Sequence, residues 1–295
     1  MNEIIQPART ARTGLQYPVH KLSIVIPAYN EEKTIGAILK KIREIRLISR
    51  VEKELIIVDD CSIDSTANIV MSFMAENPEM NITYHHHTSN EGKGAAIHTG
   101  IRHATGNYLL IQDADLEYDP GEYNALLAPI LKGHADVVYG SRFMGGNPHR
   151  ILFFWHSIGN RILTFVSNAF TNQNLTDMET GYKLFRTELL KALPLRERRF
   201  GFEPEVTARI AAIPGIRLYE VGISYYGRTY KDGKKIKWRD GFRTIFCIAK
   251  YALSVRHGAT ESHLPTAAAA LQPLSTSPTP NPTAATQSII AQPIH

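Results

Sequence analysis

Five short, almost wholly apolar runs recur along the first half of this chain, separated by segments of helical spacing. Residues 22–26, 55–58, 81–85, 108–112 and 136–139 read as strands. Between them, residues 32–45 place Ile35, Ile38, Leu39, Ile42 and Ile45 on one helical face. A second helix runs to Ala75 and is capped by Asp64 or Ser65. A third covers residues 93–104 and stops at Thr105-Gly106. Strands with no polar face are buried on both sides, and repeated strand–helix units join such strands in parallel. The expected fold is therefore α/β: a doubly wound, mostly parallel, Rossmann-like sheet with helices on both faces. The first strand is expected to end at Pro27.

The strand ends carry the chemistry. Asp113-Ala114-Asp115 follows the fourth strand directly. Two carboxylates so placed can face one divalent cation, and hard oxygen ligands suit Mg²⁺ or Mn²⁺. The competing reading is a solvated acidic turn. Glu31 follows the first strand and Asp59-Asp60 closes the second. Core packing does not require carboxylates at three strand ends, and one shared acidic cleft explains them. The carboxyl edge is also where open α/β sheets bind ligands. The loop from Pro27 to Glu32 lies at that edge, where a nucleotide base and ribose can sit. His85-His86-His87 tempts a metal reading, but strand neighbours point to opposite faces and do not easily share one ion.

The second half is less regular. Residues 151–170 form a long aromatic and aliphatic segment, 203–212 read as helix and 217–225 as strand. Residues 239–255 have helical spacing through Phe242, Ile245, Phe246, Ile248, Ala249 and Tyr251. Residues 1–20 are polar, lack an apolar signal core and read as a flexible segment. After His257 the chain is rich in Ala, Thr, Ser, Pro and Gln, with one acid and no Lys or Arg, so residues 258–295 read as a disordered tail. No stretch approaches 18 uncharged apolar residues, so no membrane span is expected. The two cysteines, Cys61 and Cys247, form no disulfide framework, which suits a reducing compartment.

Charge is divided. Residues 21–150 hold 13 Lys and Arg against 17 Asp and Glu, and residues 151–257 hold 18 against 9. An acidic half beside a basic half suits a polyanionic substrate or a membrane surface, though ordinary surface charge gives the same count. Trp155 and Trp238 either meet a lipid interface or pack.

Four ordered blocks, IVIPAYNEEKTI, IIVDDCSIDST, NEGKGAAIHTGIRHATGNYLLIQDADLEYDP and VVYGSRF, resemble the GT-A domain of inverting family 2 glycosyltransferases. The resemblance runs from about Lys21 to Tyr251 and implies one catalytic domain over residues 21–257. Residues 21–150 would form its nucleotide-sugar and metal half, and 151–257 its acceptor half with amphipathic helices. The later blocks TDMETGYKLFR, RRFGFEPEVTARIA and VGISYYGRTYKDGKKIKWRDGF are similar to the branch that makes polyprenyl-phosphate sugars, including dolichyl-phosphate glucose and mannose synthases.

This resemblance implies roles position by position. Pro27, Tyr29 and Glu31 would line the base and ribose pocket, with Asp60 near the base. Asp113 and Asp115 would hold metal and donor. Glu117 stands where many relatives have a glutamine ligand, which keeps an oxygen and adds a charge. Lys93, within Gly92-Lys93-Gly94, would touch the donor or simply be a solvated lysine at a helix start; the run is no P-loop. Arg142 would meet a phosphate with its planar fork. Arg228 and Lys235 (or Lys234) would close over the diphosphate. Arg161 is either a second acceptor-phosphate ligand or an ordinary helix arginine.

The implied activity is metal-dependent, inverting hexose transfer from UDP-glucose, or second GDP-mannose, to a polyprenyl or dolichyl phosphate. It would run at the cytoplasmic face of a membrane, with peripheral docking and no nucleic-acid partner. The alternative acceptor is a sugar hydroxyl, with Asp177 or Glu179 as base. Oligomeric state stays open.

Overall fold

The computed structural model describes residues 20–146, 148, 150, 154–228 and 238–257, with the backbone alone at 238–240, 242 and 254–257. The flexible-segment reading of residues 1–20 (all but His20) and the tail reading of 258–295 lie outside the described residues, as do Lys234, Lys235 and the Trp238 side chain.

The strands are β1 (Lys21–Ala28), β2 (Glu52–Asp59), β3 (Ile82–His86), β4 (Tyr108–Ile111), β5 (Val137–Ser141), β6 (Lys183–Arg186) and β7 (Leu218–Gly222). They form one sheet in the order β3-β2-β1-β4-β6-β5-β7. The helices are α1 (Ile35–Glu44), α2 (Thr66–Glu76), α3 (Lys93–His103), α4 (Tyr123–Leu131), α5 (Phe154–Thr171), α6 (Thr187–Ala192), α7 (Phe202–Ala211) and α8 (Trp238–His257). Strands from both halves of the chain share the sheet, so the two halves form one domain.

Alternation along each strand feeds two cores. Leu22, Ile24, Ile26, Leu55, Ile57 and Leu110 pack one face with α1, α2 and α4. Val25, Ile56, Val58, Leu109 and Ile111 pack the other with α3, α6, α7 and Ile248 of α8. Both faces are covered, which is why these strands read as continuous apolar runs. Close approach of α3 needs Gly100: a Cβ there would lie 2.2 Å from Val25 Cγ1.

Three differences from the sequence expectation have physical causes. First, β6 runs antiparallel to both neighbours, β4 and β5, while the other pairings are parallel. It is four residues long and buries Lys183, so neither length nor alternation advertises it. The Lys183 ammonium is satisfied by the carbonyls of Met178 and Thr180. Second, β1 continues through Pro27 to Ala28. Val25 O accepts from Gln112 N at the last β1–β4 pairing, so the missing N–H of Pro27, two residues on, faces the side that β4 has left. Third, α4 and α6 have no counterpart in the sequence pattern: α4 carries Pro129 inside it, and α6 is only six residues long.

The separation of β1 from β4 is the point where the strand order reverses. In open α/β sheets the crevice at such a point binds ligands.

Candidate active site

The loops after β1 and β2 are tied together by hydrogen bonds. Asn30 N donates to Ser62 Oγ at 2.9 Å, and Asn30 Oδ1 accepts from Ile63 N at 2.9 Å. Glu31 N donates to Thr66 Oγ1, Glu32 N to Asp64 Oδ2, and Ser65 N to Glu32 Oε2. Asp64 also accepts from Thr66 N, so it, rather than Ser65, serves the start of α2. Asn30 sits at φ +51°, a left-handed position that asparagine tolerates. These bonds present Tyr29 and Glu31 at the β1 edge of the crevice, with Tyr29 partly exposed.

On the opposite edge, Asp113 and Asp115 leave β4. Lys93, the first residue of α3, places Nζ 2.8 Å from Asp113 Oδ1 and 3.4 Å from Glu203 Oε1 on α7. Burial opposes the Lys93 charge, yet the two carboxylates outweigh it and raise its basicity. A solvated lysine is therefore the wrong picture. In the sequence, the signal for Glu203 is its place in the acidic first turn of α7.

Arg228, six residues past β7, gathers three strand-end carboxylates. Its Nη2 lies 2.5 Å from Asp115 Oδ2, its Nη1 3.4 Å from Glu31 Oε2 and its Nε 3.6 Å from Glu117 Oε1. The Asp115 carboxyl is pushed up to about 7 by burial and then by repulsion from Asp113 and Glu117, with Arg228 opposing. Negative charge is thus in excess here, and a cation fits. Asp113 and Asp115 are the oxygens that could hold a divalent ion. No preformed group of three His, Cys, Asp or Glu ligands exists among the described residues. Mg²⁺ commonly uses one or two carboxylates and completes its shell with water and substrate phosphate.

Other carboxylates are spent on structure. Glu117 accepts from Tyr225 OH at 2.7 Å and from Arg228 N at 2.6 Å, so it anchors the segment that carries Arg228. Asp60 accepts from Glu91 N, Gly92 N and His87, which fastens the loop opening α3. Asp59 accepts from Tyr84 OH and Ser62 N. The expected acidic cleft is therefore narrower than three strand ends: it keeps Glu31, Asp113 and Asp115, while Asp59 and Asp60 turn inward and Glu117 is tied to Tyr225 and Arg228. The three adjacent histidines take separate partners. His85 stacks on His103, His86 Nδ1 lies 3.5 Å from Asp59, and His87 bonds Asp60 and Thr99.

The basic side centres on Arg142, which follows β5. Asp177 clamps it: Nε and Nη2 each lie 2.7 Å from a carboxylate oxygen, and the Arg142 N–H adds a third bond at 3.0 Å. Asp177 is fully buried, and Glu220 accepts from its N–H. Arg142 lies over the rings of Phe143 and Tyr225, and Arg161 on α5 lies over the same Phe143 ring at 6.0 Å. Glu179 is different. Its Oε1 is buried without a hydrogen-bond partner, and its carboxyl is pushed up to about 8 by burial and then by Glu203, against Lys183 and Arg142.

Known proteins resemble this chain in sequence and in fold. The family model described as Glycosyl transferase family 2 matches residues 23–193. A dolichyl-phosphate beta-glucosyltransferase of Trichomonas vaginalis is 30% identical over 88% of this chain and 83% of its own. An undecaprenyl-phosphate mannosyltransferase of Micrococcus luteus is 28% identical over 71% of this chain and 85% of its own. Among solved structures, glucosyl-3-phosphoglycerate synthase from Mycobacterium tuberculosis, crystallised with Mn²⁺ and UDP, superposes with a TM-score of 0.60. It is 18% identical and covers 82% of each chain, a likeness of fold. With a match over more than half its length and a GT-A sheet beneath it, the chain is a glycosyltransferase of family 2.

Proposed function

We propose that this enzyme transfers a hexose from a nucleotide-diphosphate sugar to a polyprenyl phosphate at a membrane surface, with inversion at the anomeric carbon. UDP-glucose is the first donor and GDP-mannose the second, in line with the named activities of the two relatives. The observation that carries the reading is the Arg142–Asp177 clamp. Asp177, one of the two carboxylates considered as base for an acceptor hydroxyl, has both oxygens committed to a guanidinium. Arg142 and Arg161 lie around one aromatic ring on that side. A phosphate acceptor is already an anion, since its second pKa is about 6. It needs positioning by cations more than it needs a base.

A Mg²⁺ or Mn²⁺ ion on Asp113 and Asp115 would, when bound, neutralise charge building on the leaving diphosphate. Lys93 holds Asp113 in place from the α3 side. Arg228 supplies a second positive group at the same edge, preorganised by Glu117. Pro27, Tyr29 and Glu31 receive the base and ribose, and Asp60 shapes the neighbouring loop. Lys235 would add to the diphosphate side.

Docking uses α5 and α8. Phe154 (66% exposed), Trp155 (79%) and Phe165 (72%) on α5, with Phe246 (65%) on α8, turn outward. Thr164, Ser167, Cys247 and Ile248 bury the opposite sides. The two helices pack together, and exposed Arg161, Arg243 and Lys250 flank the apolar residues. No helix among the described residues is long and apolar enough to cross a membrane. An amphipathic pair of this kind lies in the interface plane, here at the cytoplasmic face.

A second reading rests on Glu179. Its free Oε1 and raised carboxyl suit a base for a sugar-hydroxyl acceptor working near pH 8. One experiment separates the two. Labelled UDP-glucose and GDP-mannose are offered with short polyprenyl phosphates and Mn²⁺ to wild type, Asp115→Asn and Glu179→Gln. An organic-extractable product, lost in Asp115→Asn and retained in Glu179→Gln, supports the phosphate acceptor. No lipid product from wild type, despite metal-dependent donor binding, refutes it.

A further inference from the structure

One carboxylate connects the outward-facing helix α8 to the lysine that holds Asp113. Glu197 lies in the segment between α6 and α7 and is largely buried. Three groups of α8 converge on it. Tyr251 OH donates to Oε1 at 2.7 Å, Lys250 Nζ lies 3.3 Å from Oε1, and Arg243 Nη2 lies 3.2 Å from Oε2. Both cations come from positions flanking the exposed apolar residues Ile245, Phe246 and Leu253.

The backbone of the same segment rests on the start of α3. Arg198 O accepts from Ala95 N at 2.9 Å. A Cβ at Gly94 would fall 2.4 Å from Glu197 O, and one at Gly92 2.6 Å from Arg198 O. Lys93 stands between these two glycines, so the residue that pairs with Asp113 is bracketed by direct contact with residues 197 and 198. The segment itself is pinned by Glu205, which accepts from Arg196 N and Glu197 N and pairs with Arg209. Nothing in the catalytic scheme requires this connection.

We infer that Glu197 is a positioning residue: through it, the seating of α8 sets the placement of Lys93, so that docking of α8 on lipid strengthens donor binding. The inference rests on the proposed donor and membrane roles and adds a link between them. The physical basis is contact without slack. A shift of α8 moves the Glu197 carboxylate, and the Glu197 backbone has no free space against Gly94. Loss of the carboxylate charge weakens the hold of Arg243 and Lys250 on the segment and leaves Tyr251 OH an oxygen to donate to in a glutamine.

The test uses the full chain, wild type and Glu197→Gln. The affinities for UDP-glucose and GDP-mannose with Mn²⁺ are measured by calorimetry, with and without vesicles containing phosphatidylglycerol. Vesicle co-sedimentation and thermal melting are recorded alongside. The expected result is that vesicles tighten donor binding by wild type several-fold. In Glu197→Gln they would leave it unchanged, while vesicle binding and folding persist. Gly94→Ala, which pushes on the same contact from the α3 side, should also lose the response. Equal vesicle responses in wild type and Glu197→Gln would overturn the inference, as would donor binding by wild type that ignores vesicles. Absence of donor binding by wild type would overturn the functional reading and this link with it.

Discussion

Glu54→Gln should destabilise the protein by about 3 kcal/mol at neutral pH and leave the donor site intact. Glu54 sits on β2 at the end of the sheet away from the carboxylate crevice, and its side chain is buried. Its oxygens accept from Ser23 Oγ (2.5 Å), Thr105 N (2.6 Å), Thr105 Oγ1 (2.5 Å) and Gly106 N (3.1 Å), with Lys21 Nζ at 3.2 Å. These bonds fasten the turn before β4 to β1 and β2. Burial alone would raise this carboxyl, but the bonds from Ser23, Thr105 and Lys21 win and bring it from 4.5 down to about 2. At ~1.36 kcal/mol for each tenfold change in proton affinity, that lowering is worth about 3 kcal/mol. The carboxyl is lower in the folded state than in the unfolded one. Its contribution is therefore complete above pH 4.5 and lost as pH falls through about 2. Urea unfolding of wild type and Glu54→Gln at neutral pH and at steps down to pH 2 should show a gap that closes over that window. A gap of the same size across the whole range would refute the electrostatic account. So would one below about 0.5 kcal/mol at neutral pH, the scatter of ordinary surface substitutions.

Three further outcomes are expected. Gly100→Ala would press a Cβ to 2.2 Å from Val25 Cγ1, and overpacking of this kind costs about 1–3 kcal/mol; an unchanged urea midpoint would contradict the α3–β1 packing. Lys93→Met leaves Asp113 and Glu203 without their shared cation, and hydrogen bonds to charged groups are worth about 1.5–3 kcal/mol. Calorimetry should then show donor affinity with Mn²⁺ reduced about tenfold or more, and wild-type affinity in the variant would remove Lys93 from the donor site. Asp177→Asn unclamps Arg142, so lipid-product formation should fall while donor binding holds; loss of donor binding instead would place Asp177 on the donor side.

Much of this enzyme was legible in its residues. Period-two apolar runs and helical spacing are local signals, so β1, β2, β4, α1 and α3 could be placed within a few positions, as could the carboxylates that end the strands. The family blocks then pointed to the GT-A sheet. What local pattern could not contain was direction and partnership. Asp59, Asp60 and Glu117 are carboxylates at strand ends just as Asp113 and Asp115 are, yet Asp59 and Asp60 turn onto loop N–H groups and Glu117 onto Tyr225 and Arg228. Asp177, one of two candidate bases for a hydroxyl acceptor, pairs with Arg142, which reaches it only once β5 and the segment before β6 are side by side. The antiparallel β6 hid behind a buried lysine. Lys93 meets Glu203, and Glu197 meets α8, across long stretches of chain. Sequence alone determined which residues are candidates to bind metal and phosphate. Tertiary structure decided which of them are left to do so, because each buried polar group must find a partner and the fold chooses that partner.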